Sequence, residues 1–440
     1  MTFLTGWGRT APTPATLATP RTPSELAALV SGAPARGLIA RGLGRAYGDA
    51  AQNAGGLVVD VSRMEQRWSL DPATGVVTAS AGMSLHDLMG ALIPLGWFVP
   101  VTPGTRYVTV GGAVAADVHG KNHHVDSSLG AHLRSLTLVM ADGAIRTLLP
   151  GDELFWATVG GMGLTGLITE ASFTCVPIET SRVRVDVERT RDLDHTLELM
   201  TATDAGYRYT VAWIDLLARG SRMGRSVLTR GDHARRDEVP AGDPLAFAPA
   251  SRLSAPPWAP NGLLNRLTVR AFNEAWYAKS RERRMIQDLA PFFHPLDFVA
   301  GWNRVYGSRG FVQYQFVVPF GQEATLRRIV SRLSARGVVS FLTVLKRFGA
   351  GTPGMLSFPL PGWTLALDIP AGQAGLSGLL RVFDEWVAEA GGRLYLAKDS
   401  RMRAELLPAM YPRLSEWRKI RESADPGEVF RSDLARRLSL

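Results

Sequence analysis

Three glycine-rich stretches in the first 170 residues constrain this chain most, because each calls for backbone where a side chain would not fit. They are Arg41-Gly42-Leu43-Gly44-Arg45-Ala46-Tyr47-Gly48-Asp49, then Gly104 with Thr109-Val110-Gly111-Gly112, and Gly160-Gly161-Met162-Gly163-Leu164-Thr165-Gly166. Closely spaced glycines turn tightly and let successive N–H groups converge on an anion. The first stretch does not fit the dinucleotide fingerprint G-x-G-x-x-G. Position 47 is Tyr47, and the chain runs on through Asn53-Ala54-Gly55-Gly56 into another strand instead of a crossover helix. A phosphate-cradling loop survives that objection, as does an ordinary strand-connecting turn.

The surrounding pattern is of short strands and helices. Thr22-Pro23-Ser24-Glu25 is a capping box with proline at the first helical position, opening a helix through residue 30. Strands are expected at 37–40 and 57–61, a hairpin over 68–81, a helix from Ser84 to about residue 95, and a second hairpin over 136–148. Beyond residue 180 the texture changes to longer strands at 207–216, 311–319, 340–345 and 364–369. Amphipathic helices follow at 324–336 and 376–390. Residues 230–266 hold six prolines and no clear period, which suits a surface connection or a mobile lid. A last strand over 393–397 leads into a polar helical tail with Arg436-Arg437. The expected fold is α+β in two domains, the second built on a mainly antiparallel sheet. The expected boundaries are 1–179 and 180–392, with 393–440 returning to the first domain.

The net charge of +9 favours anionic partners, although 44 arginines against five lysines also fit codon bias. The basic residues are scattered, which argues against a nucleic-acid-binding protein. Scarcity makes each lysine worth inspection. The single cysteine, Cys175, excludes a disulfide framework and any cysteine-built metal site, and its apolar setting suits inert core. A metal site on His119, His123 and His124 has only Asp117 and Asp126 nearby and lacks a convincing ligand set. No apolar run approaches the ~18–20 residues of a spanning helix, and residues 1–12 lack signal-peptide order.

Together the glycine stretches resemble the FAD domain of the vanillyl-alcohol-oxidase/p-cresol-methylhydroxylase (PCMH-type) family. The resemblance narrows along the chain. Leu4-Thr5-Gly6-Trp7-Gly8-Arg9, His119-Gly120-Lys121-Asn122-His123-His124, Glu153-Leu154-Phe155-Trp156, Phe292-Phe293-His294-Pro295-Leu296-Asp297 and Gly392-Arg393-Leu394-Tyr395-Leu396-Ala397-Lys398-Asp399 are similar to the decaprenylphosphoryl-ribose 2′-oxidase family. That family forms the flavin subunit of an epimerase making the arabinose donor for cell-wall arabinan.

The resemblance implies a PCMH-type FAD-binding domain over 1–179 and a substrate-binding domain over 180–392. It places FAD against Ala40, Arg41, Gly42, Leu43, Gly44, Arg45, Ala46, Tyr47, Gly48, Asp49 and Ala50. Further contacts are Gly104, Thr109, Val110, Gly111, Gly112, Ala116, Asp117, Val118, His119, Ile168 and Tyr395. Many relatives tether FAD through a histidine in the first loop; Gly44-Arg45-Ala46-Tyr47 has none, so non-covalent FAD is expected. Lys398, His119 and Tyr47 are the candidate proton handlers. Lys121, Gln313, Gln315, Lys346, Thr364, Ala366 and Lys398 match substrate-side positions, and Ala366 stands where mycobacterial members carry a cysteine. Tyr395 and Lys398, three apart on one strand, reach the same pocket only if that strand bends. The implied partners are a polyprenylphosphoryl-ribose, an NAD(P)H-dependent short-chain keto-reductase and a membrane surface touched by Pro256-Pro257-Trp258 through Leu264. Attachment to the plasma membrane from the cytoplasmic side is expected, with the periplasmic side left open. An oxygen-using alditol or aldonolactone oxidase of the same fold is the rival.

Overall fold

The computed structural model describes residues 1–251 and 253–440; Arg252, inside the expected lid, lies outside the described residues. Near the N-terminus, Thr2–Leu4, Thr13–Ala18, Leu57–Asp60 and Leu38–Arg41 form one sheet in that spatial order, the last three parallel. Leu38–Arg41 delivers the chain directly into the first glycine loop. Helix Pro23–Ser31 starts as its capping residues require: Thr22 Oγ1 accepts the Glu25 N–H at 3.2 Å. Its Leu26 and Val30 pack with Leu38, Val59 and Phe430. An antiparallel sheet follows in the order Trp68–Asp71, Val76–Ser80, Leu167–Thr174, Leu133–Val139, Ile145–Leu148.

The largest sheet has eight antiparallel strands. Their order is Arg283–Asp288, Arg182–Thr190, Ser226–His233, Tyr209–Ile214, Thr343–Phe348, Gly362–Pro370, Phe311–Pro319, Arg393–Leu394. Alternation along Phe311–Pro319 sends Tyr314 and Phe316 into the core with Leu365 and Leu367. There they meet Leu326, Ile329 and Leu333 of helix Glu323–Arg336 and Leu380, Phe383 and Val387 of helix Leu376–Glu389. Gln313 and Gln315 consequently share the opposite face with Val344, Lys346 and Ala366, fixed by the pairings Gln315↔Ala366, Val344↔Ala366 and Lys346↔Thr364. That face looks onto the glycine loops.

The C-terminal segment packs against the first half of the chain. Phe430 bridges to Leu38, Trp417 Nε1 donates to the Ala157 carbonyl at 2.9 Å, and Asp433 accepts the Ala54 N–H. No helix among the described residues is long and apolar enough to cross a membrane.

Several expectations need correction. The strand expected at 340–345 runs from Thr343 to Phe348, because Ser340 Oγ donates to the Leu342 carbonyl and accepts from Thr343 Oγ1, closing a turn first. The strand expected at 393–397 stops at Leu394. The N–H groups of Lys398 and Asp399 then fold back onto the Tyr395 carbonyl at 2.9 and 3.0 Å. Strand Ser226–His233 occupies the first residues of the proline-rich stretch. Strands Arg182–Thr190 and Arg283–Asp288 and helix Arg266–Lys279 are additions to the sequence reading. Cys175 lies just beyond strand Leu167–Thr174, 5% exposed, and burial pushes its thiol up to about 12.

Candidate functional site

A cavity with about 1770 Å³ of atom-free space, part of it open to solvent, runs between the glycine loops and the polar face of the large sheet. One wall is Ala40, Gly42, Leu43, Gly44, Arg45, Ala46, Tyr47 and Ala50. A second is Gly104, Thr109, Gly111, Gly112, Ala116, Val118 and His119, closed by Ile168 and Tyr395; the sheet supplies Gln313, Gln315, Lys346 and Ala366. Lys398 joins them because of the turn after Leu394, which lets Tyr395 and Lys398 face one space.

Glycine is compelled where the walls touch. A Cβ on Gly42 would lie 2.2 Å from Thr109 Oγ1, and one on Gly48 would lie 2.0 Å from the Asp399 carbonyl oxygen. Gly44 also has φ of +63°, the left-handed region that favours glycine. Among the described residues, the backbone N–H groups of Leu43, Gly44, Arg45 and Ala46 find no protein acceptor. Four consecutive free donors at a strand end form an anion cradle. Arg45 reinforces it: its guanidinium stacks 3.8 Å over Trp7, its Nε is buried without a partner, and burial lowers its pKa. An elongated, partly flat ligand with a central pyrophosphate, such as FAD, fits this combination of donors and bare backbone.

Several residues expected at the site hold the walls from behind. The Arg41 guanidinium donates to the carbonyls of Thr5 and Ala51. Val110 is fully buried core. Asp117 accepts from Ser128 Oγ, the Gly130 N–H, Thr352 Oγ1 and Ser357 Oγ, so its carboxylate is fully engaged outside the cavity. Lys121 donates to the Phe292 carbonyl and sits 4.3 Å over that residue's ring. Thr364 donates to the Phe316 carbonyl and accepts from Gln315 Nε2 at 3.2 Å, which orients the glutamine. Asp49 is gripped by Arg437, whose guanidinium reaches Asp49 Oδ1 at 2.8 Å and Asp399 Oδ2 at 2.8 Å. One arginine near the C-terminus thus ties the first glycine loop to the turn carrying Lys398.

The catalytic candidates meet in one place. Lys398 Nζ lies 4.0 Å over the Tyr47 ring, and burial, partly offset by Asp368, pulls its pKa down to about 8. Burial raises the Tyr47 hydroxyl well above its ordinary value, so Tyr47 stays protonated. His119 is flanked by Gln315 Nε2 at 3.0 Å from its Nε2 and Lys346 Nζ at 3.0 Å from its Nδ1. Burial, then the charges of Lys346, His123 and Lys398, hold His119 well below the usual imidazole value. An imidazole held so far below its usual value is a weak base. Lys346 is pulled down to about 7 by burial and by Lys121 and Lys398. Asp368 is pushed up to about 7 by burial and receives Gln313 Nε2. No cluster of potential metal ligands occurs among the described residues.

Trp7, Leu296, Trp302, Leu342, Val344 and Met162 also line the cavity without having been marked as site residues. Trp7, Met162 and Leu296 lie inside the stretches that carried the family resemblance; nothing local distinguishes Trp302 or Leu342 from core.

Residues 14–149 match the family model described as FAD binding domain, and residues 376–438 match that of D-arabinono-1,4-lactone oxidase. The cofactor is therefore FAD and the fold PCMH-type. The L-gulono-1,4-lactone dehydrogenase of Mycobacterium tuberculosis is 24% identical over 97% of this chain and 96% of its own. The decaprenylphosphoryl-beta-D-ribose oxidase of Mycolicibacterium smegmatis is 47% identical over 99% of this chain and 97% of its own. An identity of that size over essentially the whole length places the chain in the decaprenylphosphoryl-β-D-ribose oxidase family.

Proposed function

We propose that this protein oxidises the ribose 2′-hydroxyl of decaprenylphosphoryl-β-D-ribofuranose to the ketone, the first step of its epimerisation to the arabinose donor for cell-wall arabinan. The observation that carries this reading is the charge of the cavity's inner end. Lys346 and Lys398 face it, while Asp368, the buried carboxylate that receives Gln313 Nε2, is pushed towards neutrality. Such an end favours an anionic sugar over a neutral one.

Bound FAD supplies the hydride acceptor for oxidation at the carbon bearing the hydroxyl. The chain's own part is to hold the sugar and take its proton. Lys398 accepts the hydroxyl proton as the neutral amine, which its lowered pKa makes accessible near neutral pH. Tyr47, which stays protonated, positions the amine through its ring face, 4.0 Å beneath Lys398 Nζ. Gln313 and Gln315 present amides to the sugar, and Lys346 balances the phosphate. Ala366 places a methyl group where a thiol would stand, so no step uses sulfur chemistry. FAD is held non-covalently, because the loop 44–47 offers no histidine or cysteine for a tether.

The ketone passes to an NAD(P)H-dependent short-chain reductase that completes the epimerisation. The lipid-linked substrate requires contact with a membrane face, supported by Trp258, 78% exposed in the proline-rich stretch. The domain limits 1–179, 180–392 and 393–440 follow the same reading. The lactone-oxidase match over 376–438 bears on the rival activity, but the 47% identity over 99% of the chain to a decaprenylphosphoryl-ribose oxidase supports the ribose reading over it. Anaerobic mixing decides between them: the lipid-linked ribose should bleach the flavin and free aldonolactones should not.

A further inference from the structure

Among the described residues, exposed large apolar side chains concentrate in one region. Leu253, Trp258, Leu263, Leu267, Phe272, Trp276, Ile286 and Phe298 all fall within residues 253–298. Helix Arg266–Lys279 fully buries only Val269 and Asn273 and leaves Leu267 78%, Phe272 43% and Trp276 42% exposed. A concentration of this kind marks a binding surface.

The region is continuous with the cavity. Trp302 lines the cavity and packs in one buried cluster with Tyr306 and Phe311, against which Phe341 and Leu264 rest. Phe341 and Leu264 also rest on the cluster of Leu217, Val269 and Val339 beneath the helix. Ring to ring, Tyr306 lies 6.0 Å from Phe341, Phe341 lies 5.9 Å from Phe272, and Phe272 stacks on Trp276 at 6.2 Å.

We propose that this aromatic series is the binding site for the polyprenyl tail, which leaves the cavity past Trp302, crosses Phe341 and lies on the Phe272–Trp276 pair. The proposal rests on the reading of the substrate as a lipid-linked sugar phosphate. Charge and shape both support that occupant. Lys346 and Lys398 line the cavity on its sheet side, and the route outward runs over the rings of Trp302, Tyr306 and Phe341. The fourteen-residue helix gives a face ~20 Å long, enough for several isoprene units.

The test uses the FAD-loaded protein and the double variant Phe272→Ser/Trp276→Ser, both half-exposed positions, with thermal unfolding to verify the fold. KM is measured in one non-ionic detergent for ribose phosphodiesters carrying ten and two isoprene units. The variant should raise the long-to-short KM ratio roughly tenfold. Titration with farnesyl phosphate, which carries no sugar to oxidise, reads tail binding apart from turnover, and there the variant should again lose roughly tenfold. An unchanged ratio together with unchanged farnesyl phosphate affinity would overturn the proposal. So would loss of sedimentation with phosphatidylglycerol vesicles at unchanged farnesyl phosphate affinity, which assigns the pair to a membrane surface. If wild-type protein oxidises neither phosphodiester yet binds farnesyl phosphate through this pair, the assigned reaction fails while the tail site stands.

Discussion

Arg437→Ala is the most exacting mutation for the architecture of the site. The guanidinium donates to both oxygens of Asp49 at 2.8 and 2.9 Å, to Asp399 Oδ2 at 2.8 Å and to the Met402 carbonyl at 3.0 Å. The side chains of Asp49 and Asp399 are only 17% and 4% exposed, so alanine leaves two carboxylates desolvated without a cation. Removing one partner of a fully buried pair costs ~3–5 kcal/mol. Here Arg437 is 24% exposed, and Asp399 keeps the N–H groups of Arg401 and Met402. A loss of about 2 kcal/mol is therefore expected. Urea unfolding followed by flavin release reads it, and the transition should move to lower urea with the slope unchanged. Arg437→Lys keeps the charge but not the fork and should recover only part of the loss. Arg67→Ala, whose partner Glu65 is 56% exposed, is the control and should not move the transition. An Arg437→Ala protein unfolding at the wild-type urea concentration would refute the bridging role.

Lys398→Ala should retain FAD yet reduce it ~10²–10⁴-fold more slowly in anaerobic stopped flow; a near wild-type rate would remove Lys398 from the mechanism. Because burial depresses Lys398 to about 8, its neutral, proton-accepting form grows as pH rises through that value. The reduction rate should climb there and then level, and a flat profile from pH 7 to 9 would count against the amine as base. Acid precipitation should leave the yellow colour in the supernatant, whereas colour in the pellet would demonstrate a covalent link. Cys175, buried with its thiol pushed up to about 12, should react with iodoacetamide only after unfolding.

The parts of the site legible in the sequence are those where chemistry compels a residue type. Gly42, Gly44 and Gly48 are visible because close backbone approach and a left-handed φ exclude other residues. Strand Phe311–Pro319 is legible to the residue because its core-facing side chains alternate with polar ones. Helix Arg266–Lys279 keeps Val269, Phe272 and Trp276 at helical spacing, but the stripe holds only these three large residues while Leu267 projects from another side, so the signal is thin. Asp117 and Thr364 are named by sequence, but which side of a wall they serve depends on partners as distant as Ser357 and Phe316. The Arg437 bridge spans 388 residues to Asp49 and has no local signature.

The central claim, oxidation of a lipid-linked ribose at a lysine-lined flavin, is tested most directly by one anaerobic titration. Purified holoprotein is mixed with decaprenylphosphoryl-β-D-ribofuranose while the visible flavin absorbance is recorded and the lipid product is examined by mass. Stoichiometric bleaching with a product lighter by two hydrogens is the predicted result. A flavin that stays oxidised with that substrate, but bleaches with a free aldonolactone, would contradict the account.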